Sequence, residues 1–424
     1  MNFNNNNRLA IFGGKPVRKC MLQYGKQTID HRDIEAISEV LKENNFLTTG
    51  PCISRFEENM AKFVGCKYAI AVSNATAGLH CAVAACNIGP GDEVIVPAIS
   101  FVASSNCILY VGAKPVFVDI EENTLNIDAS KIEAVITDKT RAIIMVDLTG
   151  QPADYHAIRK ICVKYNLILI QDAAHSVGTD ILMESNNLYN NEYCFFRKVG
   201  YYSDLTVFSF HPVKNMTTGE GGMVLTNNSE LADKIRKIRS HGITIDYKER
   251  EKKGNHYYDM DTLGFNYRMT DIQAALGISQ LKRLPQWIKT RREIADQYNK
   301  GFEKLFKYLE PFPYQDIIYP SGYHIYVIRL KLEKLSCDRD QIFKALRGEM
   351  IGVNVHYMPI YLHSYYQKIG KQNNWNYNKG ICPIAEQRYN EIITLPLFPT
   401  MIGDDILDVI DAVTKVVKFY SKYD

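Results

Sequence analysis

Three short stretches carry residue types at spacings that suit one kind of chemistry. The first is Phe208-Ser209-Phe210-His211-Pro212-Val213-Lys214-Asn215, followed by Thr217-Thr218-Gly219-Glu220-Gly221-Gly222. Lys214 falls between two apolar runs, Leu205 to Phe210 and Gly222 to Thr226. Most lysines are solvated surface groups. A buried one has a depressed pKa, and its free amine can form an imine with a carbonyl. The glycines allow a tight return of the chain, and the Ser209 hydroxyl could meet a phosphate oxygen. The alternative is a lysine that reaches solvent from a loop, and this stretch alone does not separate the two. The second is Gln171-Asp172-Ala173-Ala174-His175, at the end of another apolar run. A carboxylate there sits at the ligand edge of an α/β sheet and could keep a heterocyclic nitrogen protonated; an isolated aspartate at such a place reads first as a helix cap. The third is Ser73-Asn74-Ala75-Thr76-Ala77-Gly78. Small residues that open a helix let a backbone approach an anion at the positive end of the helix dipole, although they also start many ordinary helices. The three stretches matter because they occur together.

The elements that must position them follow from the apolar pattern. Near-continuous runs at Tyr68 to Val72, Glu93 to Val96, Lys114 to Asp119, Arg141 to Asp147, Leu167 to Asp172, Leu205 to Phe210 and Gly222 to Thr226 predict strands buried on both faces. Helical stretches alternate with them, one from about Thr76 through Ala85, which predicts an α/β fold with a mainly parallel sheet. Thr270 to Leu284 has apolar residues at helical spacing and stops before Pro285. Beyond residue 320 the pattern mixes strands and helices in a smaller unit. Met183 to Arg197, rich in Asn and Tyr, reads as a surface insertion between two strands, and Lys248 to Asn255 as an exposed charged loop.

At 424 residues the chain is long enough for two domains around a cleft. A net charge of +3 gives no reason to expect nucleic acid or an acidic membrane as partner. The longest apolar runs are strand-sized, so no transmembrane helix is expected. Met1 to Asn7 lacks a basic flank and an apolar run, and reads as a floppy polar lead. None of the ten cysteines forms a CxxC pair. That leaves scattered thiols of a cytoplasmic protein, with no metal centre or redox dithiol expected.

Further motifs, Tyr24-Gly25-Lys26-Gln27, Phe46-Leu47-Thr48-Thr49-Gly50-Pro51, Phe265-Asn266-Tyr267-Arg268-Met269-Thr270-Asp271 and Leu395-Pro396-Leu397-Phe398-Pro399, extend the pattern over nearly the whole chain. In these the chain resembles the DegT/DnrJ/StrS sugar aminotransferases, enzymes that depend on pyridoxal 5′-phosphate (PLP). The resemblance implies the aspartate-aminotransferase (type I) fold, α/β, with a large domain built on a mainly parallel sheet flanked by helices and a smaller C-terminal α/β domain. It divides the chain into a lead at 1–25, a PLP-binding domain at 26–265, and a linking helix with the small domain at 266–424. Lys214 matches the Schiff-base lysine, and Asp172 the carboxylate on the pyridine nitrogen. Phe101 matches the aromatic stacked on the ring, a place where it would otherwise be core packing. Ala75, Thr76, Ala77 and Ser209 match the phosphate cup. His175 lies beside the ring. Asn266 matches an asparagine that reaches the phosphate from the other subunit, which implies an obligate homodimer. His356 and Tyr357, with Arg268, fall near the substrate.

The implied reaction is ping-pong transamination through pyridoxamine phosphate, with L-glutamate as donor and a nucleotide-linked keto-6-deoxy hexose as acceptor. The His-Pro-Val-Lys form of the lysine motif resembles the sugar 4-aminotransferases. UDP-4-keto-6-deoxy-D-glucose, giving UDP-viosamine, is the leading acceptor. UDP-altrosamine precursors, dTDP- or GDP-linked sugars, and amination at C3 stay open. Lys214 argues against the related PLP dehydratases, which carry another residue there. A nucleotide-sugar oxidoreductase would need a GxGxxG turn after a strand, and none occurs. A regulator of this fold would carry a fused basic DNA-binding segment, and none occurs. A catalytically silent PLP-fold binding protein is the remaining alternative.

Overall fold

Seven apolar runs become the strands of one sheet because both of their faces are covered. The computed structural model describes residues 8–43, 45–185, 193–245, 252, 254, 256–312 and 319–422. In chain order its first strands are β1 (Tyr68–Val72), β2 (Glu93–Pro97), β3 (Lys114–Val118), β4 (Thr140–Val146), β5 (Ile168–Asp172), β6 (Asp180–Ser185), β7 (Tyr193–Lys198), β8 (Leu205–Ser209) and β9 (Gly222–Thr226). The large sheet runs β1-β9-β8-β5-β4-β2-β3. Its strands are parallel except for β9, which is antiparallel to both neighbours. Successive side chains point to opposite faces. Val94, Val96, Ile144 and Val207 therefore enter one core, and Ile95, Ile143, Met145 and Phe208 the other.

The helices are α1 (His31–Glu43), α2 (Pro51–Val64), α3 (Ala75–Ala85), α4 (Ala103–Tyr110), α5 (Tyr155–Tyr165), α6 (Ser229–Arg239), α7 (Asp271–Leu281), α8 (Leu284–Phe302), α9 (Arg339–Gly348), α10 (Ser364–Asn373), α11 (Pro383–Glu391) and α12 (Gly403–Phe419). Two of the sequence motifs are welded at the start of α7. Thr48 pairs with Thr270, the Asp271 N–H donates to the Leu47 carbonyl, and the buried Asp271 carboxylate accepts from the N–H groups of Gly50 (2.7 Å) and Cys52 (2.9 Å). One aspartate thus caps α2, whose first residue is Pro51.

A second sheet is antiparallel: β10 (Leu309–Phe312), β11 (Tyr326–Leu330) and β12 (Ile392–Leu395). Its core joins Tyr326 and Ile328 to Ile342 of α9, Tyr298 of α8 and Val413 of α12. Leu9 and Leu22 are buried in the same core. The segment before α1 is clamped there by Arg18 on Asp405 (2.9 Å) and Asp408 (2.6 Å), and by Glu349, which accepts from the N–H groups of Ala10 and Val17. Met1 to Asn7 lies outside the described residues, as does all of Lys248 to Asn255 except Lys252 and Gly254.

The stretch Met183 to Arg197 differs from the sequence expectation of a plain insertion. Its two ends are strands, β6 and β7, paired antiparallel from Asp180 opposite Lys198 to Ser185 opposite Tyr193. The arms belong to a two-stranded sheet of their own, and the Arg197 guanidinium lies over the Phe195 and Tyr201 rings.

Candidate active site

A cleft of about 660 Å³ opens at the C-terminal edge of the parallel strands, where open α/β sheets bind ligands. Val146 ends β4, Asp172 ends β5 and Ser209 ends β8, and all three line it. From the other side come Tyr24, His324, Asn354, His356 and Tyr357.

Lys214 enters this cleft from the turn between β8 and β9. Burial drags its pKa down to about 8, against the opposing pull of the Asp172 charge. Its Nζ lies 3.4 Å from His324 Nε2. The amine therefore does not simply reach solvent. Asp172 is buried; its Oδ2 accepts from Ser104 Oγ at 2.6 Å and its Oδ1 from the Ala174 N–H at 3.2 Å. The second bond is a local cap, but no helix follows it. Desolvation raises the Asp172 pKa, and Ser104, Ala174 and Lys214 oppose the rise.

Three imidazoles stand around the amine. His175 and His324 pack with ring centroids 4.4 Å apart, and burial first, then the Lys214 charge, holds both well below the usual histidine range. His356, whose Nδ1 lies 2.8 Å from Thr394 Oγ1, is driven down to about 3 by the same two causes. All three are neutral near pH 7. The Tyr357 hydroxyl lies 3.5 Å from His175 Nε2, and burial pushes its pKa up. Phe101 is 54% exposed at the cleft and meets Tyr357 at 6.0 Å between centroids, so it is not core packing.

The third stretch opens α3, with Asn74 as N-cap accepting from the Ala77 N–H at 2.8 Å. Ala75 and Thr76 line the cleft. Ala77 is buried, and its N–H is taken by the cap, so it does not face a ligand. Gly222 begins β9 directly behind this turn. A Cβ there would stand 2.7 Å from the Asn74 carbonyl carbon and 2.8 Å from the Ala75 nitrogen. Ser209 Oγ is buried beside it, within 3.4 Å of the His211 N–H.

Asn266 and Arg268 are not brought to the cleft of their own chain. Asn266 is exposed on a segment bridged to Ser240, and Arg268 is half-buried. Sequence reasoning missed His324, Ser104, Asn354 and Glu220. Of these only Glu220 lay in a motif already singled out.

The family model for DegT/DnrJ/EryC1/StrS aminotransferases matches residues 27–414. The chain belongs to that family. The spore coat polysaccharide biosynthesis protein SpsC of Bacillus subtilis (strain 168) is 39% identical over 403 residues, 95% of this chain and 98% of SpsC. Helicobacter pylori PseC, an aminotransferase involved in the biosynthesis of pseudoaminic acid, superimposes with a TM-score of 0.82 at 31% identity, covering 94% of this chain and 100% of PseC. The putative sugar aminotransferase Spr1654 from Streptococcus pneumoniae, solved in PLP and PMP forms, gives 0.82 at 28% identity, over 94% of this chain and 98–99% of Spr1654. This DegT/DnrJ/EryC1/StrS member is accordingly a PLP-dependent sugar aminotransferase with the type I fold.

The residues of the cleft fit PLP. The turn at Asn74–Thr76, which a Cβ on Gly222 would crowd, opens a helix into the cleft with Ser209 lining the same space, an arrangement that suits a phosphate. Among the described residues the buried Asp172 carboxylate has no cationic partner at hydrogen-bond distance, and it would gain one from a protonated ring nitrogen. Lys214 offers the amine for the aldehyde. Among the described residues of one chain no arginine lines the cleft.

Proposed function

We propose that this enzyme transfers the amino group of L-glutamate to C4 of a nucleotide-linked 4-keto-6-deoxy hexose, with UDP-4-keto-6-deoxy-D-glucose as leading acceptor and UDP-viosamine as product. The observation that carries the reading is Lys214: a lysine amine whose pKa burial lowers to about 8, in a cleft with a buried carboxylate and three neutral imidazoles. The 4-keto position rests on the His211-Pro212-Val213-Lys214 form of the lysine motif.

When bound, PLP supplies the aldehyde that accepts the amino group and a ring that takes up the electron pair left at the donor's Cα. The chain supplies the rest. Ala75, Thr76 and Ser209 would hold the phosphate, Phe101 would border the ring, and Asp172 would keep a proton on the ring nitrogen. Lys214 Nζ, as free amine, takes the proton from the donor's Cα. As ammonium it gives a proton to the sugar carbon that receives nitrogen. A pKa of about 8 in place of 10.5 leaves about 300 times more free amine at pH 7. His175, Tyr357 and His356 border the same space, and Thr394 holds the His356 ring through Nδ1.

The enzyme works as a homodimer in the cytoplasm. Asn266 is exposed on its own chain, and Leu263 (75%), Tyr257 and Tyr258 in the preceding stretch are exposed apolar or aromatic side chains that a second copy could cover. Reaching the other cleft, Asn266 would meet the phosphate. Arg268, two residues on, would supply the cation for the donor carboxylate or the sugar diphosphate.

The test is the visible spectrum of the protein with PLP, before and after L-glutamate. A cofactor band that appears, bleaches with glutamate and returns with UDP-4-keto-6-deoxy-D-glucose supports cofactor, donor and acceptor together. Return only with a dTDP-, GDP- or 3-keto sugar rejects the acceptor. A band that glutamate leaves unchanged rejects the donor.

A further inference from the structure

The turn that carries His324 is held more firmly than a loop requires. The Gly322 N–H donates to the Gly150 carbonyl at 2.8 Å, and the Ile325 N–H to that of Thr149 at 3.3 Å. A Cβ at Gly322 would stand 2.3 Å from Thr179 Oγ1, so glycine lets the turn lie against the large sheet's loops. From α8, Arg291 Nη1 donates to the carbonyls of Tyr323 (3.2 Å), His324 (3.1 Å) and Leu397 (3.1 Å). Arg291 is 1% exposed, and burial alone lowers its pKa, to about 9, with no carboxylate among the described residues opposing it. A buried charge spent on backbone carbonyls is a costly device. Here it fixes the backbone at His324.

We infer that His324 is a positioning residue for Lys214, its Nε2 accepting a hydrogen bond from the Lys214 ammonium and holding Nζ in place whenever that amine is not bonded to carbon. The contact is 3.4 Å, and the ring is 5% exposed, braced against His175. An ammonium has only donors, so Nε2 must be the acceptor and Nδ1 carries the imidazole proton. Among the described residues Nδ1 has no hydrogen-bond partner, so the contact from Nε2 to Lys214 is the ring's hydrogen bond. The titratable groups that line the cleft with Lys214 are Asp172, Glu220, His175, His211, His324, His356, Tyr24 and Tyr357, and burial lowers the pKa of the four imidazoles, so the carboxylates are the charges that act on the amine as it titrates.

The inference takes its place in the reaction from the role proposed for Lys214, but the contact can be read without turnover. Cofactor-free protein is labelled with acetic anhydride across a pH series, and acetylation of the Lys214 peptide is followed by mass spectrometry. His324→Phe removes the acceptor, and His324→Asn places its oxygen near the former Nδ1, out of reach. Both should lower the labelling midpoint by about one pH unit, since the ammonium loses a hydrogen bond. His324→Gln places an oxygen near the former Nε2 and should restore the wild-type midpoint. In loaded enzyme the Phe variant should lose kcat with little change in KM, and Gln should recover it. A wild-type midpoint in both Phe and Asn variants, or a Gln variant as shifted as Phe, would overturn the contact. Borohydride reduction of loaded wild type, with peptide mapping, reads Lys214 separately: PLP fixed to another lysine would overturn the role in the reaction even with the midpoint shift intact.

Discussion

Gly222→Ala should weaken PLP binding through the phosphate alone. The added Cβ would stand 2.7 Å from the Asn74 carbonyl carbon, 2.8 Å from the Ala75 nitrogen and 2.9 Å from the Asn74 oxygen. All three are backbone atoms, so no side chain can swing aside. The α3 turn must retreat by about 0.7 Å to reach ordinary contact at 3.4 Å. Gly222 cannot retreat instead, because it is paired with Val72 on one side and Ser209 on the other. Overpacking of this kind costs about 1–3 kcal/mol. Where that strain falls on the cradle, the Kd for PLP rises about 5- to 150-fold. The assay is titration of cofactor-free protein followed by cofactor absorbance, with pyridoxal, which lacks the phosphate, as the control. PLP should weaken by that factor and pyridoxal by less than about twofold. Equal weakening of both, or no change in either, would refute the assignment of this turn as the phosphate cradle.

Other expectations concern the cleft and its surroundings. Lys214→Ala should lower kcat on the order of 10²–10⁴-fold or beyond, measured as amino transfer to a keto sugar. Asp172→Asn, which leaves a ring-nitrogen proton without its carboxylate, should cost about 30-fold or more in kcat, read in the same assay. Mixing Lys214→Ala and Asn266→Ala chains should restore activity to about a quarter of wild type, because half of a random mixture is hybrid and each hybrid has one intact site; no restoration would place Asn266 in its own chain's site. Asp147, buried behind Asp172 and accepting from Ser176, Gln171 and the Ala153 N–H, is pushed up by desolvation to about 7. Its folded pKa exceeds its unfolded one. Its contribution to stability is therefore fully present below 3.8 and lost as pH rises through about 7. Asp147→Asn should flatten the fall of Tm over that window.

The large sheet was legible because its strands are buried on both faces, so apolar runs such as Tyr68 to Val72 and Gly222 to Thr226 coincide with β1 and β9. The direction of β9 was not. Nothing within five apolar residues distinguishes parallel from antiparallel pairing, which the short return after Lys214 decides. The arms β6 and β7 were missed because each pairs only with the other, outside the large sheet, and the Asn- and Tyr-rich sequence of Met183 to Arg197 reads like an insertion although Ile181 and Met183 are buried. In the site, Asp172 ended a recognisable strand, and Lys214 and Thr76 lay in the turn and the helix that directly follow two others. His324 carries no local signal: it lies 110 residues from Lys214, and the fold alone makes them neighbours. The same holds for Ser104, which meets Asp172 across 68 residues. Ala77 shows the opposite error: its position in the motif looks right for an anion, but a side-chain cap has claimed its N–H.

The burial of Leu9 and Leu22 beside α12 has a consequence for how the chain is made. The core that closes over Leu9 includes Val409, Val413 and Val417, some 400 residues downstream. At a synthesis rate of about 5–20 residues per second, Leu9 leaves the ribosome roughly 20–80 s before those partners exist. The seven-stranded sheet can form in that interval, but the antiparallel unit and the Tyr24 wall of the cleft cannot be completed. During translation, then, a formed sheet would carry an unfinished binding site, with Leu9 and Leu22 uncovered, until the last helix is made.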